Sequence, residues 1–192
     1  MVPTDPLTGW RPRLRALPVF DAEPPGFDAA DVPADPLELV AQWLELAIAA
    51  GAPQPHVATL VTVSALGAPS SRSLILKDLT ARGLWVATPA DSPAGRDLAA
   101  EPRAALQFYW PQIGRQIRVE GVAAAGPADV SLADWEARSA PARAASDPAT
   151  WTAYLLRPGR IEFLSVAASR SHTRLQYARS GGGSWSHDML AG

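Results

Sequence analysis

The chain has 192 residues, 47% hydrophobic and 19% charged, which is typical of a globular protein that buries a substantial core in one domain. A net charge of -2 excludes a general electrostatic attraction to nucleic acid, so any anion site must be local. The chain contains no cysteine, which excludes disulfides, thiolate metal sites and cysteine nucleophiles.

The histidines and the N-terminal residues exclude further classes of function. The three histidines, His56, His172 and His187, show neither HxH nor HExxH spacing, so we expect no bound metal. The start "MVPTDPLTGW" has neither the basic nor the apolar region of a secretory signal, and no apolar run is long enough to cross a bilayer. We therefore expect a cytoplasmic protein with neither a membrane nor a nucleic acid as partner.

Residues 1–34 are predicted to form a proline-rich arm that precedes the folded domain at 35–192. Prolines fix the backbone and remove hydrogen-bond donors, so their density here excludes a regular helix or a central strand. We expect an extended or partly disordered segment. The prolines are Pro3, Pro6, Pro12, Pro18, Pro24, Pro25 and Pro33.

The segment "DPLELVAQWLELAIAAG" predicts the first long helix. Asp35 can cap it, Pro36 suits its first turn, and Glu38 favours the positive end of the helix dipole. One apolar face follows at helical spacing, and Gly51 ends the segment. The apolar residues are Leu37, Val40, Leu44, Ala47 and Ile48.

Strands dominate the rest of the chain. The segment from His56 to Thr88 divides into three β-rich runs, at about 56–64, 71–78 and 83–88, separated by the turns "ALGAPS" and "LTARG". A short helical piece at about 95–100 precedes two more strands, "AALQFYWP" and "RQIRVEGVAAAG", joined by "PQIG". We expect a second long helix at about 129–139. The tail, "GRIEFLSV" and "RLQYARSGGGSWSHDML", supplies two last strands around a Gly-rich turn.

This order of elements predicts a mainly β (α+β) fold. Six or more antiparallel strands in meander order, with two or three peripheral helices, favour a closed or partly closed barrel.

Two patterns of cationic side chains are candidates for ligand binding. In "RSLILKD", Arg72 and Lys77 are five residues apart, so on a regular strand they face opposite sides unless a bulge intervenes. In "SRSHTRLQY", Arg170, His172 and Arg174 alternate, so an extended backbone points all three to one face. Each pattern also fits a bland alternative, charged strand ends in the first and a polar edge strand in the second.

The ordered set of blocks resembles the pyridoxamine 5'-phosphate oxidase family. The blocks are "VATLVTVSALGAPSSRSLILKD", "LWVAT", "EPRAALQFYWPQIGRQIRVEGVA" and "RIEFL", followed by "RSHTR". They extend from about residue 35 to the C-terminus. The resemblance implies a split β-barrel homodimer that binds FMN between its subunits and oxidises an amine or alcohol on a phosphorylated pyridine with dioxygen as electron acceptor.

The resemblance also assigns expected roles to individual residues. Arg72 matches an arginine that reaches the FMN phosphate. The family strand that lies along the flavin corresponds to Ser73, Leu74, Ile75 and Leu76. Lys77 matches a lysine of the cofactor site that contacts the substrate phosphate. Thr88 and Ser92 match cofactor-binding positions, and Gln116 a glutamine that bonds to the flavin. Arg170 and His172 match a pair that contacts the substrate, and Arg174 an arginine that contacts FMN.

The chain departs from the family pattern at several of these positions. Where the family has Ser-Arg-Lys for the FMN phosphate, this chain has Ser92, Pro93 and Ala94, and Arg96 is a candidate to compensate. Leu164 replaces a family tryptophan. Around "DWEARSAPARAAS", Trp135 and then Ser139 or Ala140 stand near the substrate-phosphate positions, with Arg138 and Arg143 out of register.

Three functions remain open at this level. The first is an FMN-dependent oxidase of a small (hetero)aromatic substrate, with vitamin B6 phosphates as the default. The second is a diverged relative that acts on a phenazine-like metabolite. The third is a non-catalytic protein that binds flavin or another cofactor.

Overall fold

A computed structural model describes residues 8, 10–18, 23–169 and 171–191. The helices in this part of the chain are α1 (Trp10–Arg15), α2 (Pro36–Ala49), α3 (Pro93–Ala100), α4 (Ala128–Glu136) and α5 (Ala140–Ala144), with a 3-10 turn at Pro111–Ile113. The strands are β1 (Val57–Val63), β2 (Pro69–Thr80), β3 (Gly83–Pro89), β4 (Arg103–Trp110), β5 (Arg115–Ala125), β6 (Trp151–Ser165), β7 (Thr173–Arg179) and β8 (Trp185–Met189). No helix in these ranges is long and apolar enough to cross a bilayer.

The strands form one antiparallel sheet in the order β3-β2-β1-β4-β5-β6-β7-β8. An additional pairing of β3 with β6 closes the first six strands into a barrel. Strand β6 makes this closure because it is long: its first part pairs with β3, and its second part pairs with β7. The predicted mainly β barrel of six or more antiparallel strands is therefore confirmed, with β7 and β8 extending the sheet beyond it.

The barrel interior and the inner face of α2 form one hydrophobic core. Trp43 of α2 packs edge-on against Phe163 of β6, with ring centroids 5.1 Å apart. The predicted cap is confirmed, because the Asp35 carboxylate accepts a hydrogen bond from the Leu37 amide and Pro36 begins the helix.

The predicted elements match the structure except at three places. Strand β6 begins at Trp151, well before the predicted "GRIEFLSV", and β7 and β8 follow it, so the tail has three strands where two were predicted. The predicted helix at 129–139 ends at Glu136, and α5 follows it as a separate turn. The expected absence of a helix from the arm is wrong: α1 forms at Trp10–Arg15 with Pro12 in its first turn, where a missing N–H costs little.

Buried hydrogen bonds hold the second half of the arm against the barrel. The Arg115 side chain is 2% exposed and donates to the backbone oxygens of Pro25 and Gly26, at 2.7 and 2.8 Å. It also donates to Ser165 Oγ at 2.6 Å. The buried Tyr177 hydroxyl donates to the Pro33 oxygen at 2.8 Å.

Two local irregularities shape the part of the barrel where the predicted site lies. The β2–β3 register shifts between Leu76 and Asp78, which places a bulge at Lys77. At the start of α3, an added Cβ on Gly95 would lie 2.4 Å from the Ala90 oxygen. Only glycine lets the helix approach the end of β3 this closely.

Candidate functional site

Arg72 is the fourth residue of β2 and lies beside α3. Its Nη1 donates to Thr62 Oγ1 at 2.6 Å and its Nη2 to Ser70 Oγ at 2.9 Å. The Thr62 hydroxyl donates in turn to Asp97 Oδ2 at 2.6 Å, and that oxygen lies 3.7 Å from Arg72 Nη2. This network holds one partly exposed guanidinium against the helix that follows β3.

Ser92 and Thr88 form a hydroxyl pair at the start of α3. Ser92 caps the helix, because its Oγ accepts from the Gly95 amide at 3.0 Å, and it lies 3.1 Å from Thr88 Oγ1. Phosphate groups in proteins are bound by hydroxyls, helix N-termini and arginine side chains. This region supplies all three, the arginine being Arg72. The chemistry of these donors fits an anionic group of a cofactor, which would share the Arg72 guanidinium with the Asp97 carboxylate.

Pro93 and Ala94, which stand where the family has two cations, differ in their exposure to solvent. Pro93 is exposed at the first helical position, whereas Ala94 is buried, with 4% of its surface accessible. Arg96 lies on the exposed side, and its Nη1 donates to the backbone oxygen of Asp91, next to Ser92. A second guanidinium thus lies beside the loop that lacks the two family cations.

A second group of predicted residues lines a cavity of about 430 Å³ on the other face of β2. Ser73, Ile75 and Lys77 contribute to its wall, together with Arg138 and Trp151. Lys77 therefore faces away from Arg72, and the bulge at Lys77 does not bring the two cations to one face. Leu74 also contributes to the wall, whereas Leu76 is buried in the core.

Lys77 has a carboxylate partner beside this cavity. Its Nζ lies 3.2 Å from Asp134 Oδ1, and the other Asp134 oxygen accepts from Trp151 Nε1 at 2.8 Å. The Arg138 guanidinium lies 3.8 Å from the centroid of the Trp151 ring and donates to Ser146 Oγ. The cavity wall thus carries two cations and an indole, and Asp134, which is not part of the wall, pairs with Lys77 and Trp151.

Sequence reasoning missed the place of Arg138 in the wall of this cavity and the contact of Asp134 with two residues of that wall. Arg138, judged out of register with the family pattern, lies in the same cavity as Lys77. Arg143 instead donates to the backbone oxygens of Glu136 and Arg138, which fixes the turn after α4. The four-residue spacing of Asp134 and Arg138 is the available signal, because a helix over 129–139 would place both on one side. In the structure the helix ends at Glu136, and Arg138 follows it.

A third group lies on the outward face of β5, β6 and β7. Gln116 and Arg174 both pair with Leu164, one from each side. Arg174 Nε and Nη2 donate to Glu162 Oε1 at 3.0 and 2.8 Å. Among the described residues, the Gln116 side chain has no hydrogen-bond partner, so its amide is available to a ligand.

Glu162 is a further residue that the sequence analysis did not identify. Its side chain is 5% exposed, and its other oxygen accepts from Arg118 Nη2 at 2.7 Å. Arg118 also pairs with Glu120, at 2.8 Å, as their shared strand face predicts. A buried carboxylate between two arginines is not visible in a single strand, because the partners come from β5 and β7.

The alternating triplet near the C-terminus is only partly within a strand. Strand β7 begins at Thr173, so His172 precedes it and Arg174 is its second residue. His172 is exposed, and its Nδ1 accepts from the Ala167 amide at 3.2 Å. A neutral ring in this arrangement carries its proton on Nε2, where it can be donated. Arg170 lies outside the described residues.

The second and third groups face different directions in one chain. In the ring β3-β2-β1-β4-β5-β6, strands β2 and β5 lie on opposite sides. A row of paired residues, Ser73, Thr59, Gln107, Arg118, Glu162 and Gln176, connects β2 to β7. Its five strand spacings correspond to about 24 Å along the sheet. Along the sheet of one chain, Lys77 and Arg174 therefore belong to separate groups of residues.

Comparison with known proteins identifies the family. Residues 44–169 match the model of the family described as pyridoxamine 5'-phosphate oxidase, and residues 151–192 match a pyridoxine 5'-phosphate oxidase C-terminal dimerisation region. A pyridoxine/pyridoxamine 5'-phosphate oxidase of Methylibium petroleiphilum is 34% identical over 195 residues, covering 85% of this chain and 92% of that protein. One of Pseudomonas paraeruginosa is 35% identical over 201 residues, covering 86% and 93%.

Solved structures share the fold. PhzG of Burkholderia lata 383, in complex with tetrahydrophenazine-1-carboxylic acid, has a TM-score of 0.82 at 25% identity and covers 91% of this chain and all of its own. An FMN-binding protein of Nostoc punctiforme related to pyridoxamine 5'-phosphate oxidase has a TM-score of 0.66 at 18% identity, covering 84% and 99%. On the family match and the relatives' identity, this chain belongs to the pyridoxamine 5'-phosphate oxidase family.

Proposed function

We propose that the protein is an FMN-dependent oxidase whose flavin site lies between the subunits of a homodimer. The observation that carries this proposal is the separation of Lys77, on β2, from Arg174, on β7, along the sheet of one chain. If both contact one cofactor and its substrate, as the family resemblance implies, a second copy must supply one of them. The matched C-terminal dimerisation region supports the same assembly.

Different residues of the chain would bind different parts of FMN. Arg72, Ser92 and Thr88 would hold the FMN phosphate, with Arg96 close enough to the Asp91–Ser92 loop to add a charge-assisted bond. Backbone groups of Ser73–Leu76 would line the flavin. The free Gln116 amide and Arg174, fixed by Glu162, would approach it from the partner chain.

When bound, FMN supplies the electron acceptor, so the protein needs no nucleophile of its own. The cavity of Lys77, Trp151 and Arg138 would hold a planar substrate beside the cofactor. The exposed Nε2–H of His172, with Arg170, would contact polar groups of that substrate. We propose dioxygen as the final acceptor, and the cytoplasmic location remains a prediction from the sequence.

Two alternatives have specific support. The likeness to PhzG, bound in its crystal structure to tetrahydrophenazine-1-carboxylic acid, favours a tricyclic carboxylate over a vitamin B6 phosphate as substrate. The replacement of two cations by Pro93 and Ala94 favours a protein that binds flavin weakly and has no catalytic role. Oxygen uptake with pyridoxine 5'-phosphate, pyridoxamine 5'-phosphate and the phenazine compound separates these possibilities.

The direct test is titration of the purified protein with FMN, followed by flavin absorbance. We expect saturable binding that Arg72→Ala weakens by roughly tenfold or more, because a charge-assisted bond contributes about 1.5–3 kcal/mol. Arg82→Ala is the matched control, since Arg82 is exposed in the β2–β3 turn. A protein that does not bind FMN, or equal affinities of the two variants, would overturn the proposal.

A further inference from the structure

The Asp134 carboxylate changes the charge of the cavity that Lys77 lines. Its two oxygens are both engaged by groups of the cavity wall, Lys77 Nζ at 3.2 Å and Trp151 Nε1 at 2.8 Å. The Lys77 and Asp134 side chains are 24% and 17% exposed, so solvent screens their charges only in part. A carboxylate held from both sides cannot turn away from a bound ligand.

The balance of charge in this cavity does not fit a phosphate. The wall contributes two cations, Lys77 and Arg138. Asp134 does not line the cavity, but its pairing with Lys77 offsets one of these charges and leaves one positive unit. A phosphate monoester carries about 1.5–2 negative charges near neutral pH. Such a group would remain partly unneutralised and would lie beside a fixed carboxylate of the same sign.

The rest of the wall fits a planar ring. Leu74, Ile75, Ala87 and Ala142 are apolar, Trp151 contributes an indole, and the Arg138 guanidinium lies 3.8 Å from the centroid of that ring. A cavity of about 430 Å³ lies within the range of small-molecule sites, which is roughly 300–1,000 Å³. The single free positive charge pairs with at most one negative charge on the ligand.

We propose that Asp134 is a specificity-determining residue and that the substrate is a planar aromatic compound without a phosphate, neutral or carrying one carboxylate. This inference rests on the proposed function, because it takes the cavity as the substrate site of a flavoenzyme. Asp134 acts by pairing with Lys77 and by repelling a dianion. Lys77 then contributes packing and partial charge rather than a phosphate contact.

The test uses two probes with the same ring, 2-naphthoate and 2-naphthyl phosphate. Calorimetric titration of the FMN-loaded protein measures the affinity of each. The wild-type protein should bind the carboxylate roughly tenfold or more tightly than the phosphate. Asp134→Asn keeps an oxygen for Trp151 Nε1 and removes the charge. It should therefore strengthen phosphate binding by roughly tenfold, but carboxylate binding only by about threefold, because the repulsion scales with ligand charge.

Glu136→Gln is the matched control, since it removes a carboxylate of the same helix that is exposed to solvent. It should change neither affinity by more than about twofold, because solvent screens an exposed charge. Asp134→Ser is a second charge-removing variant if Asp134→Asn does not fold. A wild-type preference for the phosphate, or an unchanged preference in both Asp134 variants, would overturn the inference.

The flavin absorbance of the same samples separates this inference from the proposed function. If FMN binds and the carboxylate is not preferred, only the role of Asp134 fails. If FMN does not bind, the proposed function fails, and the calorimetric preference of the flavin-free protein still tests the charge of the cavity.

Discussion

Glu162 fixes the orientation of Arg174. One carboxylate oxygen accepts from both Nε and Nη2 of that arginine, while the other accepts from Arg118. The remaining Arg174 nitrogen, Nη1, donates to the Ala191 oxygen at 3.3 Å, a long bond that a ligand can replace. A guanidinium held along one edge presents its other edge in a defined direction.

This relationship predicts that Glu162→Gln weakens FMN binding by roughly tenfold, because an amide holds a guanidinium less strongly than a carboxylate does. It should also lower the free energy of unfolding by about 2 kcal/mol or more, since a buried charge cluster loses its anion. FMN titration and urea denaturation measure the two effects. Glu120→Gln, which removes a partner of Arg118 but not of Arg174, is the control. Equal FMN affinity in both variants would contradict the assigned role.

A cation restored at the start of α3 should strengthen FMN binding. Pro93 is exposed at the first helical position, so Pro93→Arg adds a guanidinium next to Ser92 without filling a buried space. We expect roughly tenfold tighter FMN binding, the lower end of what one charge-assisted bond provides. Pro93→Ala removes the proline without adding charge and should leave the affinity near that of the wild type. If the two variants bind FMN alike, α3 does not hold the phosphate.

The attachment of the arm to the barrel depends on the Arg115 side chain. Burial lowers the pKa of this guanidinium, and the oxygens of Pro25, Gly26 and Ser165 offset the cost of burying its charge. Arg115→Ala should lower the free energy of unfolding by about 3 kcal/mol, because it leaves buried acceptors unpaired and creates a cavity. Urea denaturation measures this loss, and faster proteolysis within residues 23–34 should accompany it. Arg157→Ala, at an exposed position of β6, should change neither property.

The hydrogen bond from Tyr177 to the Pro33 oxygen of the arm should be lost at alkaline pH. Burial raises the pKa of the Tyr177 hydroxyl above its ordinary value, and only the protonated hydroxyl can donate to the Pro33 oxygen. The folded pKa exceeds that of the unfolded chain, so this stability is complete below about pH 10 and is lost as pH rises through the folded pKa. Tyr177→Phe should lose about 1 kcal/mol at neutral pH and show a weaker decline in stability above pH 10. An identical alkaline decline would contradict this.

Local sequence patterns predicted most of the strands but not the first half of β6. The alternating and β-branched runs of β1 to β5 are bounded by clear turn signals, so their positions follow from the chain alone. In β6, Arg157, Pro158 and Gly159 interrupt the apolar pattern and hide the strand. The structure accommodates Pro158 at a register shift opposite Gly121, where an added Cβ would lie 2.0 Å from the Arg157 oxygen.

The site was predictable where its residues share one strand and hidden where they do not. Arg72 and Lys77 stand out as the charged ends of an apolar run, and their opposite faces follow from the period of a strand. The pairing of Lys77 with Asp134 joins β2 to a helix 57 residues later in the chain. The hydrogen bond between Arg115 and the Pro25 oxygen joins residues 90 positions apart in the chain. Such contacts depend on tertiary packing, which no local pattern encodes.

The most direct test of an interfacial flavin site is complementation between Arg72→Ala and Arg174→Ala. Co-expression with two affinity tags allows hybrid dimers, with one chain of each kind, to be purified and titrated with FMN. If each site takes Arg72 from one chain and Arg174 from the other, the hybrid has one intact site. It should bind one FMN per dimer with wild-type affinity, while both variant homodimers bind weakly. A hybrid as weak as its parents would contradict the interfacial site.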